Sequence, residues 1–175
     1  PGAVGTVKPC AYAVRGAGSG VYAVNVAIAA AYNGIDFRGC DNHTIKKAVT
    51  CCYNNAIHAG GTGGVIEGCL QNGTVMARNG LNLPDWVDEG TQMFPYLFDA
   101  VTRTNTEYIR LSGANDQTLY NCFAYGVKSF LVNKNSTDLL AFNIGADNIG
   151  GTMLVTQGGS AAIINMMRWN GSSYA

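Results

Sequence analysis

Charge is scarce in this chain: only 13% of its 175 residues are Asp, Glu, Lys or Arg. The 11 basic and 11 acidic residues cancel, so nothing points to a nucleic-acid groove or to an anionic membrane surface as partner. No apolar run approaches the roughly 20 residues of a membrane helix. The stretch from Val21 to Tyr32 comes nearest, but it is short and interrupted by Asn25. Histidine occurs twice, as the isolated His43 and His58, and no CxxC pair exists, so the common zinc patterns are missing. No motif implies a cofactor. Proline is limited to four residues, and nowhere is there room for the periodic helices of 10 or more residues that helical repeats need.

What is present is glycine (23 residues) and a short phrase that keeps returning. It reads Tyr32-Asn33-Gly34-Ile35, Asn54-Asn55-Ala56-Ile57, Gln71-Asn72-Gly73-Thr74, Tyr125-Gly126-Val127, Asp147-Asn148-Ile149 and Trp169-Asn170-Gly171. Asn33 to Asn55 and Asn148 to Asn170 are each 22 residues apart. A fixed period of this size marks a repeat architecture. Short apolar runs flank each phrase, such as Val49-Thr50-Cys51-Cys52 before it and Phe130-Leu131-Val132 after it, and glycine or polar turns follow. These read as strands. The economical solution is an all-β parallel β-helix with one coil per repeat, spaced about 4.8 Å apart. At that period the chain yields roughly seven or eight coils, a rod near 35 Å long. The expectation is a single β-helix domain over 1–175, a processed part or segment of a longer β-helix.

An Asn at a tight bend tolerates the left-handed region, and stacked Asn side chains can satisfy one another and the backbone. In this respect the chain resembles the pectate-lyase-like right-handed parallel β-helix superfamily, whose members carry an inward asparagine ladder. Asn33, Asn55, Asn72, Asn148 and Asn170 match that ladder, with Tyr125 standing where an Asn is expected. The resemblance implies a secreted, extracellular carbohydrate-active protein or a tailspike. The known catalytic signatures of the superfamily do not carry over. There is no Asp-Asp pair or Gly-His-Gly motif, and no cluster of calcium-binding carboxylates in a recognisable context. Members with sites between protomers of a trimer, of the inulin fructotransferase type, remain as an analogy of fold.

Cys52, Cys69 and Cys122 each fall three residues before a bend position and read as buried thiols, with a disulfide among Cys40, Cys51, Cys52 and Cys69 as the alternative. The repeat breaks once, between Asn72 and Tyr125, with an inserted loop near residues 82–105. Insertions in solenoids map to one face, often the binding face. This one gathers Asp85, Asp88, Glu89 and Asp99 with Trp86 and Tyr96. Rings stack on sugar faces, and paired carboxylates are the acid and the base or nucleophile of glycoside cleavage. Asp85, Asp88, Glu89 and Asp99 are therefore the catalytic candidates, with Glu67 and Asp36 as possible additions. Trp86, Tyr96, Arg103 and Arg110 are the substrate-binding candidates. The function expected is a glycoside hydrolase, lyase or transglycosylase acting on a polysaccharide or oligosaccharide. The alternative is a structural solenoid, such as a shaft, adhesin or filament subunit. Either would form a homo-oligomer, a trimer or an axial stack.

Overall fold

Each repeat contains short runs in which one buried residue lies between two partly exposed ones. Thr44-Ile45-Lys46, Val65-Ile66-Glu67 and Phe123-Ala124-Tyr125 all follow this pattern. Such a run buries its middle residue by standing beside copies of itself. The computed structural model describes residues 8–72, 102–170 and 173–174. There the runs stack as a parallel β-solenoid of about 6 turns, with coils about 22 residues apart.

In chain order the elements are β1 (Tyr12–Arg15), β2 (Tyr22–Val24), β3 (Ala27–Phe37), β4 (Thr44–Lys46), β5 (Val49–Thr62), β6 (Val65–Glu67) and β7 (Leu70–Asn72). After these come a single helical turn, α1 (Arg103–Asn105), and β8 (Glu107–Tyr120), β9 (Phe123–Tyr125), β10 (Ser129–Asp147), β11 (Thr152–Asn170) and β12 (Ser173–Tyr174). Pairing is parallel throughout, apart from the antiparallel contact of β12 with the end of β11.

The register sorts into three ladders, so each coil has three sides. Ladder A stacks Ala23, Ile45, Ile66, Leu119, Ala141 and Ile163. Ladder B stacks Ile28, Thr50, Gln71, Ala124, Ala146 and Arg168. Ladder C stacks Val14, Ile35, Ile57, Ile109, Leu131 and Leu154. Ile35, Ile45, Ile57, Ile66, Ile109, Leu119 and Leu131 are fully buried and form the centre of the bore. Tyr108 and Phe130 meet edge to face at 5.2 Å inside it.

The corner from ladder A to ladder B turns on one left-handed residue per coil. Asn25, Lys47, Asn121, Asn143 and Asn165 have φ between 51° and 55°, and Gly68 has φ 60°. An L-residue pays least there when it is Gly or Asn. The amides join into a row: Asn165 Nδ2 donates to Asn143 Oδ1 at 3.0 Å, and Asn143 Nδ2 to Asn121 Oδ1 at 3.4 Å.

An asparagine row therefore exists, but it is exposed and runs through other residues than those expected. The set Asn33, Asn55, Asn72, Asn148 and Asn170 is divided among positions. Asn33 and Asn55 belong to ladder C, where the next residue in register is Glu107. Asn72 belongs to ladder B beside Tyr125, and Asn170 meets Ser173 of β12. A 22-residue spacing fixes the period without fixing which corner a given Asn occupies.

The coil count is also lower than the period implied. Asn72 and Tyr125 are direct partners in ladder B, so the 53 residues between them make one coil instead of two. Thirty-six residues separate Gln71 from Glu107, where five separate Thr50 from Asn55 at the same corner of the preceding coil. This corner, from ladder B to ladder C, is where the insertion sits.

Its two ends are tied to one residue. Gln71 Oε1 accepts from the Cys52 N–H at 3.1 Å and from the Thr50 hydroxyl at 2.7 Å, while Gln71 Nε2 donates to the Cys52 carbonyl at 3.1 Å. On the returning chain, the Thr106 hydroxyl donates to the same carbonyl at 2.9 Å. Side chains thus satisfy both backbone polar groups of Cys52 at this corner.

All six cysteines are free: Cys40, Cys51, Cys52, Cys69 and Cys122 are buried, and Cys10 is exposed. Cys69 and Cys122 immediately precede the paired residues Leu70 and Phe123 and stack from coil to coil. Cys52 lies elsewhere, in register with Ala31.

Candidate functional site

Six of the residues expected to carry function, Asp85, Trp86, Asp88, Glu89, Tyr96 and Asp99, lie outside the described residues. Arg103 is in α1, half-buried, where the chain returns from the insertion to ladder C. Arg110 is in β8 on ladder C, and its Nη1 donates to Glu107 Oε2 at 2.6 Å. Asp36 and Glu67 do not share a site. Asp36 is on ladder C, held by both Nε and Nη2 of Arg38 at 2.8 Å, with Arg15 at 3.6 Å. The Arg38 hydrogen bonds hold its carboxyl below the usual carboxylate range. Glu67 is on ladder A and pairs with Lys46 at 2.7 Å. Its carboxyl is likewise held low by hydrogen bonds from Lys46 and Tyr120.

Ladder B presents a different surface. Its inward residues Gln71, Ala124 and Ala146 are fully buried, so alternation turns Phe123, Tyr125, Asp147 and Trp169 outward. Tyr125, Asp147 and Trp169 follow one another in register over three coils. Phe123 and Trp169 are two coils apart, yet their ring centroids lie 6.0 Å from each other. Gly145, in the coil between them, permits this. A Cβ there would stand 3.3 Å from both rings, tighter than ordinary carbon contact.

Beside the rings runs the amide row of Asn121, Asn143 and Asn165. Rings and amides together line a cleft of about 500 Å³, within the usual range of small-ligand sites. Asp147 Oδ1 is buried with no hydrogen-bond partner among the described residues. The arrangement can stack a flat apolar face on Trp169 and Phe123 while the amides of Asn121, Asn143 and Asn165 receive polar groups beside it.

Ladder C carries a second polar group of side chains. His58 is 8% exposed and uses both ring nitrogens, Nδ1 to the Tyr12 hydroxyl at 3.0 Å and Nε2 to Ser112 Oγ at 2.8 Å. Burial, with the cations of Arg38 and Arg110 behind it, lowers the His58 pKa to about 4. The Arg38 guanidinium sits over the Tyr12 ring, 5.6 Å from its centroid. Burial raises the Tyr12 hydroxyl above its ordinary value.

Sequence reasoning missed both assemblies. Tyr12 and Ser112 lie 46 and 54 residues from His58, and no local motif joins them. The asparagines 121, 143 and 165 do recur at 22 residues and could have been found by testing every Asn for that spacing. Among the described residues, no group of three or more His, Cys, Asp or Glu could hold a metal ion, and no helix is long and apolar enough to cross a membrane. No protein-family model, curated protein or solved structure matches the chain.

Proposed function

We propose that this chain is a secreted carbohydrate-active β-solenoid that binds a polysaccharide or oligosaccharide across the outer face of ladder B. The cleft between the Phe123–Trp169 ring pair and the Asn121–Asn143–Asn165 row carries this reading. Sugar rings offer apolar C–H faces to aromatic side chains and hydroxyls to amides and carboxylates. The amides recur once per coil, about every 4.8 Å, a repeat suited to a chain of sugar units lying along the rod. Ladder B is three residues wide at β7, about 10 Å by strand rise. The cleft is lined by the following coils, between Asn121 and Trp169, and the corner of the insertion follows β7. Asp85, Asp88, Glu89 and Asp99 of the inserted segment are the carboxylates proposed for glycosidic cleavage, with Trp86 and Tyr96 as further stacking rings.

Binding to an array of neutral and acidic glycans tests the reading, followed by titration of any ligand found. Trp169→Ala should weaken binding at least about tenfold, the equivalent of roughly 1.4 kcal/mol. Absence of any glycan ligand, or unchanged affinity in Trp169→Ala, would remove the cleft from the account.

A structural role as a shaft or filament subunit is the second reading, favoured by the last coil. Ile164, Met166 and Met167 of β11 are about half exposed (56%, 46% and 56%), and Asn25 and Asn165 occupy the same left-handed position in the first and last described coils. A copy stacked end to end would continue the amide row and leave a further edge open, the geometry of a filament. Concentration-dependent growth in sedimentation velocity supports this reading; a monomer or closed trimer at all concentrations counts against it.

A further inference from the structure

We infer that Ser112, His58 and Tyr12 form a nucleophile–base–orienter array on ladder C that hydrolyses carboxylic esters with short acyl groups, such as O-acetyl esters of alcohols. This site is on a different side of the coil from the cleft and does not rest on the glycan-binding reading. Three side chains from three coils converge in a line, with Ser112 Oγ 2.8 Å from His58 Nε2 and the Tyr12 hydroxyl 3.0 Å from His58 Nδ1. A serine within hydrogen-bond reach of a histidine whose other nitrogen is held by a third group is the geometry of an activated nucleophile. In the productive tautomer Nδ1–H donates to the Tyr12 oxygen, leaving Nε2 free to accept from Ser112.

The chemistry balances within the site and water. Ser112 Oγ adds to the ester carbonyl as its proton passes to His58 Nε2. The C–O bond to the alcohol breaks, and the departing oxygen takes that proton. Water then adds to the acyl-serine with His58 again as base, releasing the carboxylic acid and restoring Ser112. The surroundings favour the anionic tetrahedral intermediate. Lys134 is in register with Ser112 one coil on, and Arg110 is in register with His58. The coil between Arg38 and Ser112 contributes Gly60, which has no side chain to stand between them.

The charged and titratable groups around His58 are Tyr12, Asp36, Arg38, Arg110 and Lys134. Burial disfavours the imidazolium most, and the cations Arg38, Arg110 and Lys134 add to it against Asp36, with Glu107 paired to Arg110, so the imidazole stays neutral well into the acid range. The rate should then hold level from pH 7 to about 5 and fall with an inflection near 4, the value set by burial and the arginines.

The full chain is incubated with p-nitrophenyl acetate and, separately, with a fluorophosphonate that labels activated serines. We expect ester turnover, a mass adduct on the peptide containing Ser112, and about 100-fold loss of kcat/KM in Ser112→Ala and in His58→Asn. Tyr12→Phe, which keeps the ring under Arg38, should lower kcat more than it changes KM. Labelling of the unaltered protein needs no variant and so does not depend on variant folding. No adduct at Ser112, or hydrolysis that Ser112→Ala leaves intact, overturns the proposal.

Discussion

Replacing Gln71 by Leu probes how the solenoid survives its one interruption. The side chain is fully buried and makes three hydrogen bonds, two of them to the backbone of Cys52. Leu occupies similar space and makes none. The Thr50 hydroxyl keeps a second acceptor in the Leu70 carbonyl at 3.1 Å, and the Cys52 carbonyl keeps the Thr106 hydroxyl. The Cys52 N–H loses its Gln71 acceptor. An orphaned buried donor costs about 1–3 kcal/mol, and the two replaceable bonds add at most about 1 kcal/mol each, so the loss should be about 1–5 kcal/mol. Thr106→Val alone should cost about 1 kcal/mol, because Gln71 still holds the carbonyl. Combining the two orphans both backbone polar groups of Cys52, and the double variant should exceed the sum by about 1 kcal/mol. Urea denaturation at unchanged m reads all four corners of the cycle. A loss below about 0.5 kcal/mol for Gln71→Leu, or strict additivity in the double variant, would refute the shared clamp on Cys52.

Other expectations follow from the corners and the buried groups. Lys47 is the one residue in the left-handed column that is neither Asn nor Gly; Lys47→Asn should raise stability by about 0.5–1 kcal/mol, whereas Asn143→Val should lower it by about 1–2 kcal/mol, both read as shifts in the urea midpoint. His58 titrates near 4 when folded against 6.5 as its ordinary value, so the unfolded chain takes up the proton first. Its contribution to stability is complete above about pH 6.5 and is lost as the pH falls towards 4, by at most about 3 kcal/mol. His43, lowered by burial, acts in the same direction; denaturation at pH 7 and 4.5 should show a smaller difference in His58→Gln than in the parent, and an equal difference would deny His58 this role. For the thiols, a colorimetric reagent should modify Cys10 rapidly in the native protein and the other five only on unfolding; fast reaction of more than one thiol would contradict the packing.

The solenoid was legible in the sequence because its cause is periodic. Each coil buries the same positions, so Ile45 and Ile66, or Ile35 and Ile57, recur at the coil length. Phase was harder to read. Asparagines recur at more than one corner, and Lys47 and Gly68 interrupt the row that belongs to the left-handed one, hiding it behind the more uniform phrase at Asn33 and Asn55. Counting residues between Asn72 and Tyr125 could not distinguish two coils from one coil with an excursion; only their direct pairing decides it. The sites were less legible still. Carboxylates and rings clustered along the chain drew attention to 82–105, whereas the side chains that converge in space, Tyr12 with His58 and Ser112, or Phe123 with Trp169, are separated by whole coils. Stacking makes neighbours of residues that share no local motif.

The corner from ladder B to ladder C also bears on how such a rod can change. Thirty-six residues there span what five span one coil earlier, and both neighbouring ladders keep their register across it. Chain length at that point is thus uncoupled from the alignment of everything above and below. Loop closure grows costlier only with the logarithm of length, so segments of other lengths and sequences could be exchanged between Asn72 and Thr106 while the anchoring pair is retained. Gln71 and Thr106 would then serve as fixed posts of a grafting site, and the rod as a frame on which new recognition segments are displayed and selected without redesigning its core.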